Sequence, residues 1–152
     1  MILSTLHTNS AAAAVTRLMD MGVEPFLITS TVHAVLAQRL VRRLCADCRA
    51  PYRPQPSLAA VLGSSAQLPD TLFHATGCAA CKGSGFKGRV ALTELLELDD
   101  ALAMLVTRQA EARDIERAAV AQGMRTMLAD GVLKAGQGQT TIEEVVRVTR
   151  EA

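Results

Sequence analysis

The chain contains four cysteines, and they fall into two pairs of identical spacing, Cys45-Ala-Asp-Cys48 and Cys78-Ala-Ala-Cys81. Two intervening residues allow both sulfurs of a pair to turn toward one point. Two such pairs supply a tetrahedral set of thiolates, which zinc accepts with no coordination position left open. The 29 residues between the pairs exceed the usual ribbon spacing. Closing the longer loop costs only about 0.6 kcal/mol per doubling of length, against roughly 10–16 kcal/mol available from a structural zinc. Any fold for this chain therefore has to bring residues 45–48 against residues 78–81. Two other readings stand beside this one: four separately buried thiols, or a redox dithiol. One pair would suffice for redox work, and no thioredoxin-like context surrounds either pair. A closed four-cysteine site is structural by its chemistry.

Length and composition narrow the setting. The 152 residues suffice for one domain or two small lobes, and 49% hydrophobic with 20% charged residues makes a globular chain. With no Trp, one Tyr and three Phe, the core is aliphatic and base stacking has little material. A net charge of +1 exerts no global pull on nucleic acid or anionic membrane. The N-terminus lacks the basic and apolar regions of a signal peptide. The most apolar run, "VEPFLITSTVHAVLAQRLV", carries Glu24, His33, Gln38 and Arg39 and does not read as a membrane span. A cytosolic chain is expected, and disulfides are not.

Along the chain, "MILSTL" predicts a short buried strand, followed by a helix capped by Asn9 or Ser10 and stopped at Gly22. Pro25 suits the first turn of a second helix, expected to run to about Leu44 with Leu36, Leu40, Val41 and Leu44 on its apolar face. From Cys45 the text turns to loop, in "CADCRAPYRPQPS" and "GSSAQLPDT". "LFHATGCAACKGSGFKGRVALTELLEL" predicts short strands around a glycine-rich turn, with Gly77, Gly83 and Gly85 relaxing the backbone. Three helices are expected next: one capped by Asp99, one from Ala110 to Gln122, and one from Met124 to Ala135 closed by Gly136. A last helix starts at a capping box formed by Thr141 and Glu144.

The first polar cluster, Ser4, Thr5, His7, Thr8 and Asn9, stands between a strand pattern and a helix. Taken alone, a histidine there is most often a hydrogen-bonded structural residue. In combination, "LSTLHTNSAAAAVTRLMDMGVEPFLITS", "LAQRLVRRLCADC", "GCAACKGSGFKGRVALTELLELDD" and "GMRTMLADGVLKAGQGQTTIEEVVRVT" resemble, in order, the C-terminal part of the type II secretion ATPases. These are the general secretion pathway protein E group, relatives of the type IV pilus assembly ATPases. The resemblance covers nearly the whole chain, and "DMGVEPFLITS" is closer to the secretion branch. It implies that "STLHTN" is the histidine box, with His7 near the nucleotide phosphates as a donor to the γ-phosphate. Thr5, Thr8 and Asn9 would orient the ring or a water. Arg17, Arg39 and Arg43 would be phosphate or subunit-interface residues, against the plainer reading of a solvated face. The family's four-cysteine zinc module maps onto Cys45, Cys48, Cys78 and Cys81.

The resemblance implies an α/β chain: the C-terminal part of a RecA-like P-loop ATPase core over residues 1–44, an inserted four-cysteine zinc module over 45–88, and a mainly helical region over 89–152. The family departs from this chain at one large point. No G-x-x-x-x-G-K-[ST] segment is present, nor the acidic segments that hold magnesium. The expectation is therefore a portion of a secretion motor whose ATP and Mg²⁺ site requires residues upstream, and which does not hydrolyse ATP by itself. The complete family protein would be a homo-hexamer, cytoplasmic and peripheral on the inner membrane, working with platform and adaptor proteins in pseudopilus assembly. It would bind no nucleic acid and have no transmembrane segment. Two rivals are a stand-alone zinc-binding interaction or regulatory module, and a zinc-ribbon nucleic-acid binder built on Arg39, Arg42, Arg43, Arg49 and Arg53.

Overall fold

The computed structural model describes residues 2–62 and 67–150. In chain order the elements are α1 (Ala11–Asp20), α2 (Pro25–Thr31), β1 (Ala34–Leu44), β2 (Arg49–Tyr52), α3 (Ser57–Leu62), β3 (Leu72–Ala75), a 3₁₀ turn (Ala79–Cys81), β4 (Phe86–Glu97), α4 (Asp100–Thr107), α5 (Ala112–Ala121), α6 (Met127–Gly136) and α7 (Ile142–Arg150). The fold is mixed α/β with two small sheets: β1 pairs with β4, and β2 with β3. The chain divides into two compact units, Met1–Ala37 with Glu94–Arg125, and Gln38–Thr93 with Thr126–Ala152.

The first unit is helical. Ser10 caps α1, its Oγ accepting from the Ala13 N–H at 3.1 Å, and Gly22 follows the helix with φ +86°. Such a left-handed turn costs glycine no Cβ clash. Pro25 opens α2, and Asp99 caps α4 by accepting from Leu102 N–H. α1 packs on α5, and α2 and α5 on α4. Val15, Ile28, Leu96, Leu102, Val106 and Ile115 are buried among them.

Two expectations fail here. "MILSTL" is not a buried strand: residues 2–8 have no regular structure, and Ile2 and Leu3 are exposed. No strand among the described residues pairs with this segment, and an unpaired strand leaves its backbone groups to water. The second helix does not reach Leu44. It ends at Thr31, and Ala34–Leu44 is a strand. The β-branched run Ile28, Thr29, Thr31 and Val32 weakens the helix. Beyond it, Val35, Ala37, Arg39 and Val41 alternate inward, while Leu36 and Leu40 lie outward and exposed. Pairing with β4 overrides the helix-forming Leu, Gln and Arg residues.

The second unit builds on the β2–β3 pair, antiparallel with Arg49 opposite Ala75 and Tyr52 opposite Leu72, and on the α6–α7 pair. The stretch expected as loop thus contains β2 and the short α3, and residues 63–66 of that stretch lie outside the described residues. Leu72, Leu92, Val132, Ala135, Ile142 and Val145 form the core. Helix α6 starts later than expected, at Met127 behind a Thr126 cap, and includes Gly136. Gly131 lies on α6 where a Cβ would strike Val145, so the bare backbone permits the close approach of α6 and α7.

The capping box at α7 is half formed. Thr141 Oγ1 accepts the Glu144 N–H at 3.3 Å, but the Glu144 carboxylate is engaged elsewhere. It accepts from Arg42 Nη2 at 2.8 Å and from the Arg42 backbone N–H at 3.1 Å, and from Arg147 at 3.1 and 3.2 Å. Thr140, fully buried, donates to the Arg42 carbonyl at 2.8 Å. β1 and α7, about a hundred residues apart, are thereby joined through one 3%-exposed carboxylate.

The Arg42 hydrogen bond, helped by Arg147 and opposed by burial, holds the Glu144 carboxyl down at about 2. A carboxylate depressed on folding stabilises fully above its unfolded pKa, and this is lost as pH falls through the folded value. Glu144→Gln should therefore lower stability by on the order of 2–3 kcal/mol at pH 6. The difference from wild type should shrink between about pH 4.5 and pH 2. Denaturant melts of both proteins across this range check it; a difference that stays constant with pH would contradict it.

Candidate functional site

The four cysteines converge in the second unit. Their sulfurs all lie within 4.8 Å of one another. Three of the separations are 3.9 Å for Cys45–Cys78, 3.8 Å for Cys48–Cys81 and 3.7 Å for Cys78–Cys81. A tetrahedron of sulfurs about 2.3 Å from a central zinc has edges of about 3.8 Å. These three separations match such edges, and the four sulfurs lie close enough together to hold one metal ion.

Local backbone structure produces this geometry. In the first pair, the Arg49 N–H donates to the Cys45 carbonyl at 3.0 Å, folding the chain back. The Cys45 N–H donates to the Gly85 carbonyl at 2.9 Å, fastening the end of β1 to the start of β4. In the second pair, the Gly83 N–H donates to the Cys78 carbonyl at 2.9 Å, and the N–H groups of Cys78 and Gly85 both donate to Cys81 Sγ at 3.1 Å. Gly77 and Gly85 have φ of +91° and +74°. A Cβ on Gly85 would collide with Ala75, and one on Gly77 with the Gly83 carbonyl. Of the three glycines expected to relax this turn, Gly77 and Gly85 are thus sterically required in it, while Gly83 faces open space with a φ of +80°.

The thiols differ in acidity. Burial pushes Cys81 up, but the N–H groups of Cys78 and Gly85, with the neighbouring sulfurs, prevail and hold it at about 6. The Asp47 N–H draws Cys45 down, but burial and the sulfurs of Cys78 and Cys48 push it up to about 11. N–H donation to sulfur favours the thiolate, the form that ligates metal.

The other expected site residues are more dispersed. Thr5, His7 and Asn9 are exposed on the segment before α1, and Thr8, half-buried, donates from Oγ1 to the Ser10 carbonyl at 3.3 Å. Arg17 is exposed on α1. Arg39, half-buried, and Arg43, exposed, are on β1 in the second unit. In the first unit a cleft of about 530 Å³ lies between the end of α1 and the α4–α5 link, lined by Asp20, Glu24 and Glu111 among others. None of the expected site residues lines it.

The family profile of the type II/IV secretion system proteins matches residues 1–147. The chain belongs to that family. It is 46% identical over 99% of its length to the type II secretion system protein E of Pseudomonas aeruginosa, and 46% identical over its whole length to the type II secretion system ATPase E of Vibrio cholerae. It is 44% identical over 99% of its length to the type IV pilus assembly ATPase of Thermus thermophilus. The chain spans 30% of the length of each of the first two relatives and 17% of the third. No helix among the described residues is long and apolar enough to cross a membrane.

One buried charge of this family member escapes a motif reading. Glu94, 4% exposed on β4, accepts the Ala11 N–H at 2.9 Å. Burial and then the charge of Glu94 push the Glu116 carboxyl upward. The signal was present in "LTELL", where Glu94 stands between inward Leu92 and Leu96 at strand spacing.

If the cysteines form one metal site, one equivalent of zinc should protect all four thiols of the reduced protein from a thiol reagent. Cys45→Ser should leave the remaining thiols reactive. It should also destabilise residues 45–88 by several kcal/mol, as expected from roughly 10–16 kcal/mol for a whole structural site. Hydrogen exchange should show protection lost there and retained in α5; equal loss in both would contradict a local role.

Proposed function

We propose that this chain is the C-terminal portion of the cytoplasmic motor ATPase that powers type II protein secretion through pseudopilus assembly. The observation that carries the reading is the 46% identity, over the whole length of this chain, with a protein named as a type II secretion system ATPase. The similar identity to a pilus assembly ATPase leaves the chemistry unchanged, since both names describe ATPases of related machines. In this reading residues 1–44 complete a RecA-like P-loop core, 45–88 form the zinc module, and 89–152 form the helical C-terminal region. The complete protein is a homo-hexamer, peripheral on the inner membrane, engaging platform and adaptor proteins.

Zinc, held by Cys45, Cys48, Cys78 and Cys81, is structural: four thiolates leave it no position for a substrate. It stabilises the module by tying residues 45–48 to residues 78–81. ATP and Mg²⁺ belong to the complete protein. The P-loop that cradles phosphates and the carboxylates that hold magnesium are outside the sequence of this chain. The chain as it stands does not position a nucleotide for hydrolysis.

His7 is the residue of this chain that acts on the nucleotide. Exposed on a segment without regular structure, its imidazole is available to donate to a γ-phosphate oxygen. Such a donor acts as charge develops on the transferring group, so it serves turnover more than binding. In this reading Thr5, Thr8 and Asn9 orient the ring or a water, and Arg17 and Arg39 serve nucleotide or subunit contacts.

The test is a hybrid in which this chain replaces its counterpart in the Pseudomonas aeruginosa protein. The hybrid should turn over ATP where the isolated chain does not. His7→Ala should lower its kcat by on the order of 10²–10³, with a smaller change in ATP affinity. Unchanged turnover in intact hexamers would return His7 to a structural role.

A further inference from the structure

The N-terminus of α1 is held by a residue 83 positions away in sequence. Glu94 Oε1 accepts the Ala11 N–H at 2.9 Å, and Ala11 and Ala12 are fully buried. α1 has no acidic residue in its own first turn, so β4 supplies a carboxylate that the helix lacks locally. Ser10 Oγ takes the Ala13 N–H. Two of the four N–H groups that a helix start leaves unpaired are therefore bonded to this chain's own oxygens.

Burying a carboxylate is costly, and an apolar side chain of similar volume commonly serves stability as well or better. Residue 94 stands between buried Leu92 and Leu96, where such a side chain would continue the inward-facing row. Packing alone does not call for a glutamate there. What the contact does achieve is a fixed origin for the segment that precedes α1. His7 lies four residues before Ala11, and the intervening backbone carries the further Thr8–Ser10 bond.

We propose that Glu94 is a positioning residue for His7: its bond to the Ala11 N–H fixes the start of α1, and hence the exit of the His7 segment, against β4. This rests on the reading of His7 as a phosphate-facing donor. Glu94 touches no nucleotide in this account. It acts through geometry, and displacing a catalytic group by about 1 Å can cost on the order of 10² in rate.

The test uses the same hybrid with Glu94→Met, Glu94→Gln, Glu94→Asp, His7→Ala and the Glu94→Met/His7→Ala pair. Glu94→Met, which keeps volume but removes the acceptor, should lower kcat by about ten-fold or more while KM for ATP stays within about three-fold. Glu94→Gln keeps an oxygen at the same reach and should restore most of the rate. Glu94→Asp keeps the charge but withdraws the oxygen by one methylene, and should fall below Glu94→Gln; the reverse order would overturn the inference even if Glu94→Met did not fold. The double variant should be no slower than His7→Ala alone, because both act on one step. On the 152-residue chain itself, amide exchange through residues 4–14 should be faster in Glu94→Met than in wild type or Glu94→Gln. A slow His7→Ala beside a normal Glu94→Met would overturn the role of Glu94 and leave that of His7 standing. A normal His7→Ala would overturn both.

Discussion

The convergence of four sulfurs is the constraint on which the second unit depends. It joins Cys45 to Cys78, 33 positions apart in sequence. Around it are fastened the end of β1, the start of β4 and the β2–β3 pair. The two steric glycines and the N–H groups aimed at Cys81 show a backbone shaped to present sulfur inward. In a reducing compartment such a cluster is stabilised by metal rather than by disulfides.

Each unit also contains a buried carboxylate that joins elements distant in sequence. Glu144 ties α7 to β1 in the second unit, and Glu94 ties α1 to β4 in the first. Glu144 is matched by two guanidinium groups and is a charge-paired clasp. The bond that Glu94 makes to the Ala11 N–H places negative charge at a helix start, where the helix dipole favours it. In neither case does the sequence neighbourhood of the glutamate reveal its partner.

Local chemistry was legible in the sequence; long-range pairing was not. Ser10, Pro25, Asp99 and Gly22 act where capping and turn rules put them, because those interactions reach only a few residues. The cysteine cluster was legible because its spacing encodes a ligand geometry. The strand over Ala34–Leu44 was misread as helix because Leu, Gln and Arg favour helices until a partner strand is present, and that partner begins at Phe86. The opening "MILSTL" was misread for the converse reason: its composition suits a strand, but no described strand pairs with it. Glu144 looked like a capping-box residue by position, and Arg42 from β1 competes successfully for it. The family was legible from motifs in order.

Zinc K-edge X-ray absorption on protein purified under reducing, chelator-free conditions tests the central claim most directly. The account predicts about one zinc per chain, coordinated by four sulfurs at about 2.3 Å with no light-atom ligand. Absence of zinc, or a shell containing nitrogen or oxygen in place of one or more sulfurs, would contradict it.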